Sequence, residues 1–323
     1  MAEPVKGRFI GLDVGGTKIA SATLQDGKLE TRELIKTDVS DSDKLVAQLV
    51  ELIGHLRTDD TIAAGVGLPS IIEFETGRIA HSVNIPLADL PLRKLLSDKT
   101  GIPVYIENDA SCAALAEAFD TEGNLTCPNL VMLTVGTGVG GGLVFNGRLY
   151  RGSTSAGEIG HTVIGLDLED GAPTPEGKHP LPGTLEYLAA GRALDRLAER
   201  EAREEEDSFL GKRLEQDGEV TGHDVVDGAK AGDADALRVL DILGQRLGIG
   251  IANAINLFDP QEIVIGGGVS TAGDLLMEPA KRVAKEYTVP GLGLHTTIRL
   301  ARHGAQAGVL GAAMVAAHEE EAS

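Results

Sequence analysis

The sequence predicts an α/β protein of two domains, built from one unit used twice in diverged form. Two observations predict it. A strand, a short glycine turn and a second strand occur twice, about 120 residues apart, as FIGLDVGGTKIASATL and LVMLTVGTGVGGGLVFNG. The run of apolar strands and amphipathic helices behind the first turn also begins again near residue 120. With 323 residues, 42% of them hydrophobic, the chain can fill two cores.

The elements follow in order. RFIGLDVG, KIASATLQ and KLETRELIK read as strands, with Asp26-Gly27 as the hairpin turn between the last two. From Asp43 to Leu56 the apolar positions Leu45, Val46, Leu49, Leu52, Ile53 and Leu56 recur at helical spacing. TIAAGVGLP is a buried strand stopped by Pro69. A helix over Leu90 to Lys99, the strand PVYIEND and a helix over ASCAALAEAF complete the first half. The second half opens with LVMLTVG and GGLVFNG, then GRLYRG. Gly165 to Gly183 is rich in Gly and Pro and reads as a long loop, a feature uncommon without a function. Helices run to about Glu206, and a long one spans Asp235 to Phe258 with Leu240, Leu243, Leu247, Ile251 and Ile255 on one face. The strand EIVIGGG, a helix near Leu275, the strand TTIRLAR and the helix QAGVLGAAMVAAH finish the chain.

Composition excludes several function classes. Aromatics are 3%, Trp is absent and the formal net charge is −20, so no nucleic-acid surface or anionic-membrane partner is expected. Cys112 and Cys127 do not make a disulfide scaffold. No signal-like segment opens the chain and no apolar run approaches the ~20 residues needed to span a bilayer, so a cytoplasmic location is expected.

Two phosphate-sized turns point to a nucleotide-dependent kinase or ATPase. Glycine lets backbone N–H groups approach phosphate oxygens without an intervening Cβ. In the first turn Asp13 precedes Gly15, Gly16, Thr17 and Lys18, which add a hydroxyl and a positive charge. The second presents Gly136, Thr137 and Gly138. Neither is a Walker A loop, because each turn leads into a strand. Gly266, Gly267 and Gly268 end a strand before a helix, a common nucleotide position. In Glu107-Asn108-Asp109 a strand ends and a helix begins, and N-capping alone accounts for an Asn and an Asp there. A helix N-terminus is expected to lower the pKa of Asp109.

The series DVGGTK, END, GTGVGGG, GEIGH and IGGG, in that order, resembles the ROK family of sugar kinases within the actin-like ATPase superfamily. The similarity covers nearly the whole chain and is greatest to the family's bacterial glucokinases. It implies two actin-like, ribonuclease-H-like domains around a central cleft, with residues 1–118 plus 305–323 as the smaller and 119–304 as the larger. It implies Asp109 as the catalytic base, with Gly67, Asn84, Asn108, Glu158, His161 and Glu186 lining the sugar. Asp13, Gly15, Gly16, Thr17, Lys18, Gly136, Thr137 and Gly138 then face the phosphates, and Gly266, Gly267 and Gly268 face adenosine.

The implied reaction is phosphorylation of glucose at its 6-hydroxyl by ATP with Mg2+, in a homodimer. Kinases for fructose, mannose, N-acetylglucosamine or N-acetylmannosamine belong to the same resemblance. So do sugar-responsive repressors, which carry a helix-turn-helix domain before the first strand; with about seven residues there and a net charge of −20, a repressor lacking that domain is the lesser expectation. A polyphosphate-using kinase would want a basic groove that this composition does not offer. The family's zinc site, a GH histidine with three cysteines, has no counterpart in EDGAPTPEGKHPLPGTLE, so no structural zinc is expected.

Overall fold

The computed structural model describes residues 6–82, 84–175 and 177–322. Strands β1 (Arg8–Val14), β2 (Lys18–Gln25) and β3 (Lys28–Lys36) form an antiparallel meander. Helix α1 (Ser42–Leu56) follows, with Asp41 as N-cap accepting from Lys44 N. All six apolar positions read as its inner face are buried. Next come β4 (Thr61–Leu68), a hairpin of β5 (Ser70–Glu73) and β6 (Arg78–Ser82), α2 (Leu92–Thr100), β7 (Val104–Asn108) and α3 (Asp109–Glu117). The β5–β6 hairpin is additional to the expected elements: Pro69 ends β4, but the chain turns straight back into a second, two-stranded sheet.

The second half holds β8 (Leu130–Val135), β9 (Val139–Phe145), β10 (Arg148–Leu149), α4 (Leu185–Ala189), α5 (Gly191–Glu204), α6 (Phe209–Asp217), α7 (Gly222–Lys230), α8 (Ala234–Phe258), β11 (Glu262–Gly266), α9 (Asp274–Tyr287), β12 (Thr297–Leu300) and α10 (Ala307–Ala322). The first five-stranded sheet runs β3-β2-β1-β4-β7 and the second β10-β9-β8-β11-β12. In order of appearance each is third, second, first, fourth, fifth. The repeated unit read from the sequence therefore returns as the same strand order.

The chain divides into two compact units: residues 1–132, 142–157 and 302–323, and residues 133–141 and 158–301. The chain leaves the first unit within β8 and returns to it within β9. In the first unit, one face of the sheet carries Ile10, Leu12, Val66 and Ile106 into a core with α1 and α2. The other face receives α10, buried on every side from Val309 to Ala317. Its small residues let it lie directly on the strands. A Cβ at Gly65 would collide with the Ala312 carbonyl, and one at Gly311 with the Cys112 carbonyl. In the second unit α8 packs its predicted Leu and Ile face inward. Its Gly244 and Gly248 press on the carbonyls of Leu276 and Ala280 of α9, each 2.6 Å from where a Cβ would stand. Among the described residues no helix is long and apolar enough to cross a membrane.

Candidate active site

The first glycine turn joins β1 to β2. Gly15 N donates to Lys18 O at 3.0 Å, and Thr37 Oγ1 donates to Gly15 O at 2.6 Å, so the bend is held from the β3 side. Thr17 and Lys18 project into solvent. Asn84, in a left-handed backbone conformation at φ 64°, packs on Gly16, where a Cβ would lie 2.7 Å from the Asn84 carbonyl oxygen. Asp13 ends the inward face of β1 against the first turn of α10. A Cβ at Gly308 would collide with Asp13 Oδ2. Burial, reinforced by the charge of Asp109, raises the Asp13 pKa to about 7.

The END segment sits at the parallel pairing of β4 and β7, with Gly67 opposite Glu107 and Leu68 opposite Asn108. Asn108 Oδ1 accepts from Ala110 N at 2.9 Å and Ser111 N at 3.1 Å, which caps α3. Asp109 is the first residue of α3, and its Oδ1 accepts from Ala110 N at 2.8 Å. The expected lowering of its pKa is reversed. Loss of solvent around the carboxyl raises it and outweighs the backbone hydrogen bonds that lower it. Gly67 lies beneath this turn, its missing Cβ 3.7 Å from Asp109 Cα.

One pair behind this turn was invisible in the sequence. Glu107 is 5% exposed. Its Oε2 accepts from Arg151 Nε at 2.5 Å, and its Oε1 accepts from Asn108 N at 2.9 Å. Arg151 Nη2 also donates to Glu319 Oε1 of α10 at 2.9 Å, and its guanidinium stacks 3.4 Å from the Phe74 ring centroid.

In the second unit the structure brings four predicted segments together. The turn at Gly136 to Gly138 is closed by Gly136 N donating to Gly138 O at 2.9 Å. Glu186 Oε2 accepts from Val139 N at 2.8 Å. Gly191 N, opening α5, donates to Gly136 O at 2.7 Å, so a 14-residue helix starts against this turn. Its N-terminal end favours negative charge. A Cβ at Gly136 would meet nothing within 4 Å, which leaves room over that glycine. Gly267, at φ 85°, is required for packing: a Cβ there would strike the Val135 carbonyl. Gly268 faces open space, and Gly266 ends β11.

The GEIGH segment lies on the same turn. Gly160 abuts the Val139 carbonyl so closely that a Cβ would collide with it. Leu185 N donates to Thr162 O at 2.9 Å, joining GEIGH to the helix that carries Glu186. Glu158 and His161 are exposed, with Glu158 Oε2 3.7 Å from His161 Nε2. The His179 ring stands edge-on to His161 at 5.3 Å between centroids. The loop from 165 to 183 is closed at its base by Ile164 N donating to Gly183 O at 2.8 Å. Among the described residues no three His, Cys, Asp or Glu side chains are grouped to hold a metal ion.

The ROK family model matches residues 9–319 of the chain. A glucokinase from Halalkalibacterium halodurans is 39% identical over 97% of this chain and 96% of its own length. An N-acetyl-D-glucosamine kinase from Aliivibrio salmonicida is 34% identical over 95% of this chain and 99% of its own. Among solved structures, a ROK family glucokinase from Streptomyces griseus, in complex with glucose and AMPPNP, aligns with a TM-score of 0.77 at 28% identity. That alignment covers 97% of this chain and all of the other, 100%.

Proposed function

The chain belongs to the ROK family, and from that premise we propose that it is an ATP-dependent glucokinase, transferring the γ-phosphoryl group of ATP to the 6-hydroxyl of glucose. The observation that carries the reading is Asp109, a desolvated carboxyl at the first position of α3 with its pKa raised. The hydroxyl proton passes to Asp109 as the oxygen–phosphorus bond forms and the bond to the ADP oxygen breaks. Phosphoryl transfer has a loose transition state, so aiming the hydroxyl matters more than stripping its proton early. The raised pKa nonetheless makes Asp109 a better acceptor than an ordinary surface aspartate.

The remaining residues divide by chemistry. Backbone N–H groups of Gly16 and Thr17, the Lys18 ammonium and the turn at Gly136, Thr137 and Gly138 suit phosphate oxygens, while the Gly15 N–H closes the first turn on Lys18 O. Gly268, with open space where a Cβ would stand, suits the adenosine end alongside Gly266 and Gly267. Glu158, Glu186, Asn84, Asn108 and His161 suit sugar hydroxyls, and a carboxylate can accept from two at once. Asp13, desolvated and beside another carboxylate, suits a partner that brings positive charge. Mg2+ carried by the triphosphate would supply that charge.

Glucose is favoured over an acetamido sugar by the 39% identity to a glucokinase against 34% to an N-acetyl-D-glucosamine kinase. The two pockets differ by few contacts, so the sugar is decided by turnover. The test is coupled ADP release across glucose, mannose, fructose, N-acetylglucosamine and N-acetylmannosamine, with and without Mg2+. The highest kcat/KM on glucose supports the proposal. A higher value on an acetamido sugar reassigns the substrate, and no turnover with any hexose removes the kinase reading.

A further inference from the structure

We infer that Glu186 is a positioning residue for the phosphate turn as well as a sugar ligand, so one carboxylate serves both ends of the reaction. The inference rests on the proposed reading of the Gly136–Gly138 turn as a phosphate site and of Glu186 as a sugar ligand.

The geometry has three parts. First, Glu186 Oε2 accepts from Val139 N at 2.8 Å, and Val139 is 2% exposed, so water cannot replace the carboxylate. Second, the carboxylate fills the place of a side chain at Gly138. A Cβ there would lie 2.5 Å from Glu186 Oε2 and 2.9 Å from its Cδ. Gly138 is thus a glycine because Glu186 occupies that side of the turn, while Gly136 is open on its own side. Third, the backbone around Glu186 is tied to the same turn. Ala190 N donates to Glu186 O at 3.1 Å, and the next residue, Gly191, donates to Gly136 O at 2.7 Å. The Thr184 side chain caps α4, and Leu185 N is fixed to Thr162 O.

Glu186 Oε1 makes no hydrogen bond among the described residues, and a carboxylate offers about four acceptor sites. One oxygen therefore holds the turn while the other stays free for a hydroxyl. The chemistry also ranks the substitutes. Glutamine keeps the length and one carbonyl oxygen for Val139 N, but offers an NH2 to the sugar. Alanine leaves the buried N–H without a partner.

The test is binding of AMP-PNP with Mg2+ to the whole protein in the absence of any sugar, by titration calorimetry. Glu186→Ala is expected to weaken that binding about fivefold or more, the effect of one lost hydrogen bond to a buried donor. Glu186→Gln is expected to restore most of the sugar-free nucleotide affinity while glucose affinity stays reduced. Glu51→Ala, which removes an exposed carboxylate of α1 away from the turn, should leave sugar-free AMP-PNP binding unchanged. Wild-type AMP-PNP affinity in both Glu186 variants, with glucose binding lost, overturns the inference and leaves the sugar role intact. Gly136→Asp sets a carboxylate over the open glycine and should abolish nucleotide binding. If it does not, or if wild type fails to bind AMP-PNP, the phosphate reading of the turn falls and this inference falls with it.

Discussion

Arg151 Nε donates to Glu107 Oε2 at 2.5 Å, and the pair stands directly behind the turn that carries Asp109. Burial raises the Glu107 pKa, and Arg151 opposes that rise with charge and a hydrogen bond. Removing the guanidinium would strand a buried carboxylate. Arg151→Ala is therefore expected to destabilise the fold by about 3–5 kcal/mol, read from urea unfolding. Glu107→Gln combined with Arg151→Met, which removes both charges, should recover a large part of that loss. A single Arg151→Ala costing less than about 1 kcal/mol would show the pair to be incidental.

Asp109→Asn keeps the shape of the α3 N-terminus and removes the base. It is expected to lower kcat by about 10²–10⁴ with AMP-PNP affinity unchanged. In the wild type the group must be ionised to accept a proton, and its pKa is raised above 3.8. Activity should thus fall on acidification at a higher pH than an ordinary aspartate would impose. The kcat/KM profile against pH tests this, and an acid limb that persists in Asp109→Asn would assign it to another group.

Much of this architecture was legible because it is repeated or periodic. The duplicated strand order followed from two similar halves, and α1 and α8 followed from apolar spacing. The β5–β6 hairpin was hidden because Pro69 reads as a stop, while a chain that doubles back at once carries no separate signal. Helices α6 and α7 are short and polar, so their face toward α5 and α8 is too narrow to show as a period. At the site, the glycine turns and the END capping signal are local and were readable. The contacts that organise them are not. Glu186 meets Val139 across 47 residues and Arg151 meets Glu107 across 44, separations set by packing and not by any pattern in the chain. The raised Asp109 pKa is hidden for the same reason: a helix N-terminus is visible in sequence, while the loss of solvent around a carboxyl is not.

Gly308 shows how close the packing on the site is. It lies in the first turn of α10, and a Cβ there would collide with Asp13 Oδ2. The helix is buried and cannot retreat, so the carboxylate must move. Gly308→Ala is expected to cost about 1–3 kcal/mol of stability and to raise the KM for ATP more than that for glucose. Equal effects on both KM values would argue against Asp13 serving the nucleotide end.

Asp13 itself links stability to pH. Its folded-state pKa is raised from 3.8 to about 7, chiefly by burial and then by Asp109. The folded chain therefore holds this proton more tightly than the unfolded chain does. That contribution to stability is full below pH 3.8, declines as the pH rises, and is exhausted above about 7. Between those values the decline is on the order of 1 kcal/mol per pH unit. Asp13→Asn carries no such proton and no buried charge. Relative to wild type, the variant should gain stability as the pH is raised from about 5 to about 8, in urea unfolding without ligand. The same variant should lose kinase activity, because the buried charge that costs stability in the absence of ligand is the one proposed to meet the metal-bound phosphates. A stability difference that does not change with pH would mean that Asp13 stays ionised throughout, and that its neighbourhood already contains a compensating cation.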